Sequence, residues 1–334
     1  MTNAMSGDTP LADLPYARLV DHPGGWLRRW LMFMMLRATT KRMRVVGLDI
    51  TALREKHARL DVRLAKPHPR VHRTDVQIGD IAAHWLGGNE SARDRIILYL
   101  HGGAFMLRYP NTHAGMVAPW CEALRARALM VDYRLAPEHP FPAAPLDCHA
   151  AYRWLLDEGH DAGQIVIVGD SAGGNLALAT LHAIKAAGEP MPACAVLLSP
   201  ATDLTMSGAS YVTHVRRDPM FSLEALLGLR SRYIQPEQIL DVRASPLFGD
   251  FHGFPPLYFI VGGREVLLDD SVRAAARAYA AGVSVDLEVW QHMAHVFPAQ
   301  HKLPQAAAAS ERIVAFIARH ANWPRIETCQ SKGP

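Results

Sequence analysis

Short apolar runs recur along the chain from about residue 96, and most of them are separated by longer stretches with helical periodicity. The apolar runs cover residues 96–100, 129–133, 165–168, 195–198, 257–261 and 285–290. The most continuously apolar of these runs are typical of strands that are buried on both faces of a sheet. Helices are predicted near residues 113–127, 145–158, 174–187, 271–281 and 303–320. This alternation predicts an α/β fold in which helices cover a mainly parallel sheet.

Two segments depart from the alternation. Residues 74–78 and 81–86 flank a Gly-Asp pair and predict a hairpin that leads into the sheet. Between residues 202 and 254, a helical pattern over residues 222–234 replaces a strand–helix unit, which indicates an insertion between strands.

The predicted elements divide the chain into a catalytic domain and a cap. We expect residues 1–60 and the insertion 202–254 to form a helical cap over the carboxyl ends of the strands, where open α/β sheets hold their ligands. The catalytic domain then comprises residues 61–201 and 255–322, and residues 323–334 form a C-terminal tail.

The stretch from Trp26 to Leu36 combines paired arginines with a run of apolar residues. Basic residues at positions 37, 41, 42 and 44 end this run well short of the ~20 residues that a membrane-spanning helix needs. The first 25 residues lack the apolar core of a secretory signal peptide. We predict an amphipathic helix that packs on the protein's own body, without stable membrane insertion. Docking of this helix on a membrane surface is the alternative.

Composition excludes several classes of function. The chain has 334 residues, of which 49% are hydrophobic, as expected for a globular protein with its own core. Its formal net charge of +3 is too small to favour nucleic acid as a partner, so a small molecule is the expected ligand. The four cysteines form no Cys-x-x-Cys pair, which favours neither a metal site nor a disulfide framework and fits a reducing cytoplasm. A homodimer is compatible with this composition.

One serine lies on a predicted strand-to-helix turn, in the segment Gly169-Asp170-Ser171-Ala172-Gly173-Gly174. The pattern Gly-x-Ser-x-Gly in this context is typical of a nucleophile elbow, which exposes the serine hydroxyl at the edge of the sheet. A phosphate-binding loop would need a Lys-Ser or Lys-Thr pair after the last glycine, whereas Asn-Leu follows here. Ser171 is therefore the candidate nucleophile, and a purely structural glycine-rich turn is the alternative.

A serine nucleophile also needs backbone donors for the oxyanion that develops on the substrate. Paired glycines follow the predicted strand 96–100, and their small size lets backbone N–H groups approach a substrate oxygen closely. We assign Gly102 and Gly103 as oxyanion donors, with the amide of Ala172 as the third. A plain turn after a strand is the alternative for the glycine pair.

The catalytic base is expected in the loop after the last strand, because the chain order in this kind of site is Ser, acid, His. The loop offers His292 and His295. We favour His295, because it leads a short apolar segment that would anchor the loop, and His292 stays open as the alternative.

The acid is expected just past the preceding strand, residues 257–261. Glu265 is nearest to the end of that strand and is our candidate for the carboxylate that orients the histidine. Asp269 and Asp270 are instead expected to cap a helix that begins at Ser271.

Charged residues are mixed with three prolines in residues 132–142, which follow another predicted strand. We predict that Asp132, Arg134 and Glu138 form a buried or half-buried ionic brace, which positions the loop without taking part in the chemistry.

Together these motifs resemble the hormone-sensitive-lipase-like branch of the α/β-hydrolases, also known as the bacterial family IV esterases. The resemblance runs from about residue 96 to residue 320 and is carried by the segments His101-Gly-Gly-Ala-Phe105, Asp132-Tyr-Arg-Leu-Ala-Pro-Glu138 and Gly169-Asp-Ser-Ala-Gly-Gly174. It implies the α/β-hydrolase fold with a cap, and hydrolysis of short-acyl carboxylic esters without a cofactor.

The chain departs from the family pattern at two positions. Ala104 stands where the family has the third oxyanion glycine, and Glu265 stands where the acid is often aspartate. The segments 265–270 and 290–296 look most like those of monoterpene ε-lactone hydrolases and acetyl-hydrolases.

The sequence thus predicts a serine carboxylesterase that acts on short-acyl esters or lactones without a cofactor or metal. Ser171 would attack the ester, His295 would take its proton and Glu265 would stabilise the imidazolium, with an acyl-enzyme as the intermediate. The alternatives are an amide hydrolase, such as an arylformamidase-like enzyme, and a non-catalytic small-molecule binding protein on a hydrolase scaffold.

Overall fold

Nine strands form one sheet in the computed structural model, which describes residues 11–41, 49–64 and 68–324. The strands are β1 (Ala17–Val20), β2 (His72–Ile78), β3 (Ile81–Gly87), β4 (Ile96–Leu100), β5 (Arg127–Val131), β6 (Ile165–Asp170), β7 (Cys194–Leu198), β8 (Leu257–Gly262) and β9 (Val285–Trp290). Their order across the sheet is β1-β9-β8-β7-β6-β4-β5-β3-β2. Strand β3 is antiparallel to both of its neighbours, β2 and β5, and every other neighbouring pair is parallel. The predicted hairpin and the predicted mainly parallel sheet are confirmed.

Helices flank both faces of the sheet. They are α1 (Trp26–Thr39), α2 (Ile50–Leu64), α3 (Pro110–Leu124), α4 (Ala143–Asp157), α5 (Ala172–Ala187), α6 (Ser210–Thr213), α7 (Leu223–Tyr233), α8 (Leu268–Ala280) and α9 (Pro304–His320). Because strand side chains alternate between the faces, Ile96, Leu98 and Leu100 pack with α4, α5 and α8, whereas Ile97 and Tyr99 pack with α3 and α9. All five residues of β4 are fully buried, which explains its continuously apolar sequence.

Helix boundaries differ from the predicted ones by a few residues. Helix α3 begins at Pro110, whose missing N–H suits the first turn, and it ends because Arg125 adopts a left-handed conformation with φ of 48°. Helix α8 begins at Leu268, three residues before Ser271. The prediction that Asp269 and Asp270 precede and cap this helix is therefore wrong, because both lie inside its first turn.

The first 60 residues are not entirely helical. Residues Ala17–Val20 form β1, which pairs with β9 in parallel at one edge of the sheet. A four-residue edge strand with two exposed residues has too little apolar pattern for a sequence-based prediction.

The packed body extends past α9 into the predicted tail. Trp323 is buried, and its indole N–H donates to Oε1 of Gln164 at 2.7 Å. The rest of the predicted tail, residues 325–334, lies outside the described residues. No helix within the described ranges is long and apolar enough to cross a bilayer.

The three charged residues of the predicted brace bind partners outside their own segment. Arg134 contacts Asp147 at 2.7 Å, and Glu138 contacts Arg54 of α2 at 2.7 Å. Asp132 lies 3.9 Å from Arg108. Asp132 is half-buried, as predicted, but the prediction of a buried or half-buried brace is wrong for Arg134 and Glu138, which are exposed. Each of the three charges pairs with a residue outside the segment, at positions that become adjacent only in the fold.

Candidate active site

Ser171 forms the sharp turn between β6 and α5. Its backbone has φ of 55° and ψ of −117°, a strained combination that a non-glycine residue adopts only where the surrounding structure enforces it. A Cβ on Gly169 would lie 2.2 Å from the carbonyl oxygen of Gly173, and one on Gly173 would lie 1.9 Å from that of Leu100. The two outer glycines of the Gly-x-Ser-x-Gly pattern are thus required by close backbone contacts at the turn.

These contacts give a testable expectation for stability. Gly173→Ala should lower the free energy of unfolding by about 1–3 kcal/mol, because the backbone must shift to accept the methyl group. Gly115→Ala in α3 is the matched control: nothing lies within 4 Å of the position that the new methyl group would take, and alanine favours a helix by about 1 kcal/mol over glycine. Urea unfolding of both variants checks this, and equal stabilities would contradict the account of the turn.

The structure brings Ser171, His295 and Glu265 together as one hydrogen-bonded chain. Nε2 of His295 lies 2.9 Å from Oγ of Ser171, and Nδ1 of the same ring lies 2.6 Å from Oε2 of Glu265. Both the imidazole and the carboxylate are buried. Each of the three residues follows a parallel strand, and the carboxyl ends of parallel strands meet at one edge of the sheet.

Glu265 is held by donors on its other oxygen. Oε1 accepts the hydroxyl hydrogen of Ser199 at 2.8 Å and the N–H of Gly262 at 2.6 Å. The Ser199 hydroxyl also accepts the N–H of Val296 at 3.1 Å, which ties the histidine loop to the same network. A fully buried carboxylate is therefore satisfied on both oxygens and can hold the His295 ring in one orientation.

Opposing effects set the pKa of His295. Burial lowers the pKa of the ring, but the charge of Glu265 and its hydrogen bond, with smaller contributions from Asp218 and Asp170, more than offset this. The pKa of His295 is therefore raised above its usual range. Such a histidine is a stronger base toward the neighbouring serine hydroxyl.

Asp218 is a buried residue near the site that sequence reasoning missed. Its carboxylate accepts backbone N–H groups from Met220 and Phe221, at 2.6 and 2.9 Å, and from Val266 at 2.9 Å. Burial raises the pKa of Asp218, and the charge of Glu265 adds to the increase. The carboxylate joins the insertion to the residue after Glu265 and fixes Phe221, whose ring meets the His295 ring edge-on at 4.9 Å. Only the Asp-Pro turn signal marks this position in the sequence.

The glycine loop after β4 is arranged differently from the expectation. The N–H of Gly102 donates to Oδ1 of Asp170 at 2.8 Å, so it is not free to bind a substrate oxygen. Gly103 and Ala104 follow with φ of 120° and 54°. Within the described residues, neither of their N–H groups has a backbone or side-chain acceptor. The assignment of Gly102 as an oxyanion donor therefore disagrees with the hydrogen bonding, whereas Gly103 keeps a free N–H.

Asp170 locks this loop in place. Besides Gly102, its Oδ1 accepts the hydroxyl hydrogen of Tyr99 at 2.5 Å and lies 3.5 Å from Nε2 of His113. Burial acts to raise the pKa of Asp170, but His113 and the hydrogen bonds from His113, Tyr99 and Gly102 lower it to about 2. The residue before Ser171 thus sets the position of the glycine loop after β4, which its place in the motif did not reveal.

The alternative base and acids lie in other surroundings. His292 is exposed and adopts φ of 64°. Asp269 accepts the N–H of Ser210 at 2.9 Å, and Asp270 accepts the N–H of Asp203 at 2.9 Å, so both hold the insertion against α8. Across residues 11–41, 49–64 and 68–324, no three His, Cys, Asp or Glu side chains are grouped so that they could hold a metal ion.

The chain is similar to known hydrolases and esterases. Residues 97–299 match the family described as alpha/beta hydrolase fold. An acetyl-hydrolase of Streptomyces hygroscopicus is 40% identical over 244 residues, which are 72% of this chain and 81% of that protein. An esterase of Acinetobacter venetianus is 34% identical over 284 residues, which are 84% of this chain and 93% of that protein.

A solved structure gives the same result. An esterase from the bacterial hormone-sensitive lipase family superposes with a TM-score of 0.82 at 36% identity, over 90% of this chain and 99% of that one. The chain therefore belongs to the α/β-hydrolase fold family, in which it is an esterase-type hydrolase similar to the bacterial hormone-sensitive-lipase-family esterases.

Proposed function

We propose that this chain is a serine carboxylesterase that works through the triad Ser171, His295 and Glu265 and a covalent acyl-enzyme. The observation that carries the proposal is the continuous hydrogen-bonded chain from the Ser171 hydroxyl through His295 to Glu265, at 2.9 and 2.6 Å. The serine sits on a strained elbow, and the imidazole is buried with a raised pKa. This combination supplies the nucleophile, the base and the orienting acid that acyl transfer requires.

The reaction proceeds in two halves. In the first, Oγ of Ser171 bonds to the ester carbonyl carbon while its proton passes to Nε2 of His295. The tetrahedral intermediate then collapses, and the imidazolium gives that proton to the departing alcohol oxygen. In the second half, His295 takes a proton from water, whose oxygen attacks the acyl-enzyme, and Ser171 recovers its proton as the acid leaves. The negative charge of Glu265 stabilises the imidazolium in both halves.

The oxyanion donors in this proposal are the N–H groups of Gly103, Ala104 and Ala172. Gly103 and Ala104 have no acceptor within the described part of the chain, and Ala172 is the first residue of α5, where N–H groups lack an intrahelical partner. Ala104 replaces Gly102 in this role, because the latter donates to Asp170. An alanine side chain does not remove the N–H, so it can serve where the family has glycine.

Short acyl groups and lactones are the substrates that we propose. Aromatic side chains from the insertion reach both sides of the site: Phe221 contacts the His295 ring, and Tyr233 stacks on Phe105 at 3.8 Å, directly after the oxyanion loop. Such bulk leaves less room for a long acyl chain. We also propose that helices α1 and α2 act with the insertion 202–254 as the cap. Arg37 of α1 donates to the carbonyl of Arg216 in the insertion, and Arg54 of α2 donates to the carbonyl of Met106, just after the glycine loop.

A substrate panel tests this proposal. The expected result is the highest kcat/KM for p-nitrophenyl acetate and butyrate, a decline for longer acyl chains, and turnover of lactones. Acyl anilides of the same acyl length should react far more slowly, because the amine is a poorer leaving group. Faster cleavage of anilides than of esters would favour the amide-hydrolase alternative, and a preference for long acyl chains would contradict the proposed substrate class.

The raised pKa of His295 predicts the acidic side of the pH profile. The base works only when neutral, so kcat/KM should fall as the pH drops through the raised pKa, at a pH above the usual 6.5 of histidine. Glu265→Gln removes the charge that raises the pKa of His295, so the remaining activity of this variant should fall at a lower pH than that of the parent chain. The same midpoint pH in both proteins would contradict the electrostatic coupling between the two side chains.

A further inference from the structure

Helix α1 carries an apolar face that the protein does not cover. Met32 and Leu36 are buried against the body, whereas six larger apolar side chains on the other half of the helix are about half exposed or more. These are Trp26, Leu27, Trp30, Leu31, Met34 and Met35, at 68, 51, 53, 53, 49 and 52% exposure. Because they recur at spacings of one and four residues, they form one continuous outward face. We call these six residues the α1 face.

Positive charge surrounds the α1 face. Residues 22–41 contain four Lys or Arg and no Asp or Glu. Arg264 lies beside the helix, with its guanidinium carbon 5.5 Å from the ring centroid of Phe33. Burial and the nearby charges of Arg37, Arg217 and Arg29 lower the pKa of Arg264. No acidic side chain of the described chain forms a salt bridge with any of them. If two copies of the chain met through this face, their unpaired positive charges would repel each other. The charge therefore disfavours a second copy as the partner of the α1 face.

The helix is also fixed in its place. Arg28 donates to the carbonyl of Lys302 at 3.1 Å, and Arg37 donates to that of Arg216 at 3.3 Å. Lys41 donates to the carbonyls of Val215 and Asp218. The face is therefore presented outward by a rigidly attached helix, so little conformational entropy is lost when a partner binds.

We propose that the α1 face docks on the surface of an anionic lipid bilayer. The 14 residues of the helix span about 21 Å, less than the ~30 Å of a bilayer core, so the helix lies in the plane of the interface. The two tryptophans suit the headgroup level, and the arginines contact lipid phosphates. The docking does not depend on the esterase mechanism. It anchors the cap, through Lys41 and Arg37, to the surface where apolar esters collect.

Vesicle flotation of the full chain tests the proposal. The chain should float with vesicles of equal parts phosphatidylcholine and phosphatidylglycerol, float less as the salt concentration rises, and not float with phosphatidylcholine alone. Trp30→Glu and Leu31→Glu should each weaken binding about tenfold or more, because each places a charge where an apolar side chain would enter the bilayer. Arg29→Gln and Arg264→Gln should each weaken it about fivefold, because each removes one unpaired positive charge without breaking the hydrogen bonds that hold α1 in place.

Leu240→Glu is the matched control, because Leu240 is 69% exposed but lies outside the α1 face. It should float like the parent chain, and circular dichroism should show all variants folded. Failure of the parent chain to bind anionic vesicles, or equal binding by Trp30→Glu, would overturn the proposal. So would a homodimer in light scattering that Trp30→Glu dissociates, because a second copy would then cover the face.

Discussion

Ser171→Ala is expected to abolish hydrolysis of p-nitrophenyl butyrate, with kcat falling by about 10⁵-fold or more. Alanine lacks the hydroxyl that bonds to the ester carbon, and residues 169–174 contain no second hydroxyl side chain to replace it. The fold should survive, because alanine meets the same φ of 55° that serine does. Steady-state kinetics and thermal unfolding, measured on the same preparation, check both parts.

Ser231→Ala is the matched control for this loss. Ser231 is an exposed serine of α7, and its hydroxyl donates only to the carbonyl of Gly228. Its replacement should leave kcat within about twofold, since a surface substitution of this kind changes little. Residual activity of Ser171→Ala comparable to that of the control would remove the serine from the mechanism.

Glu265→Gln is expected to lower kcat by about 10³- to 10⁴-fold, while Asp269→Asn leaves it within about tenfold. Gly262 and Ser199 both donate to Oε1 of Glu265, so a glutamine would place its amide oxygen there and turn its NH₂ group toward His295. Nδ1 would then accept a hydrogen bond, and the proton would sit on Nε2. In that tautomer the ring cannot take the proton of Ser171.

Asp269 has a different task, which makes it a suitable comparison. It accepts the N–H of Ser210 and so holds the insertion on α8, without contacting His295. Initial-rate kinetics for both variants, with thermal unfolding as the check on folding, separate the two carboxylates. A larger loss in Asp269→Asn than in Glu265→Gln would reverse the assignment.

Much of the fold could be predicted because the buried strands have a strong local signal. The continuously apolar runs of β4, β6 and β8 and the helical stretches between them are enough to indicate a mainly parallel sheet. Strand β1 escaped prediction, because its pairing with β9 is a contact between residues some 270 positions apart. Chain order likewise pointed to Glu265 and His295, which the structure brings within hydrogen-bond distance of one another.

Hydrogen-bond partners that are distant in sequence could not be predicted. The choice between Gly102 and Ala104 as an oxyanion donor depends on which N–H faces Asp170, and this follows from the positive φ angles of the loop. The partners of Arg134 and Glu138 come from α4 and α2, which no local pattern places beside them. Asp218 lies beside the site only because the insertion folds back on the strand ends, so no local sequence pattern could place it there.

Covalent labelling with diethyl p-nitrophenyl phosphate tests the nucleophile most directly. Attack by Ser171 would release p-nitrophenolate and leave a stable diethyl phosphoryl group on Oγ, which His295 cannot help water to remove in the way it removes an acyl group. We predict one released p-nitrophenolate per chain, loss of activity in step with the release, and a single modified peptide that contains Ser171. A label on another residue in the inactivated enzyme, or full activity in a chain labelled at Ser171, would contradict the account.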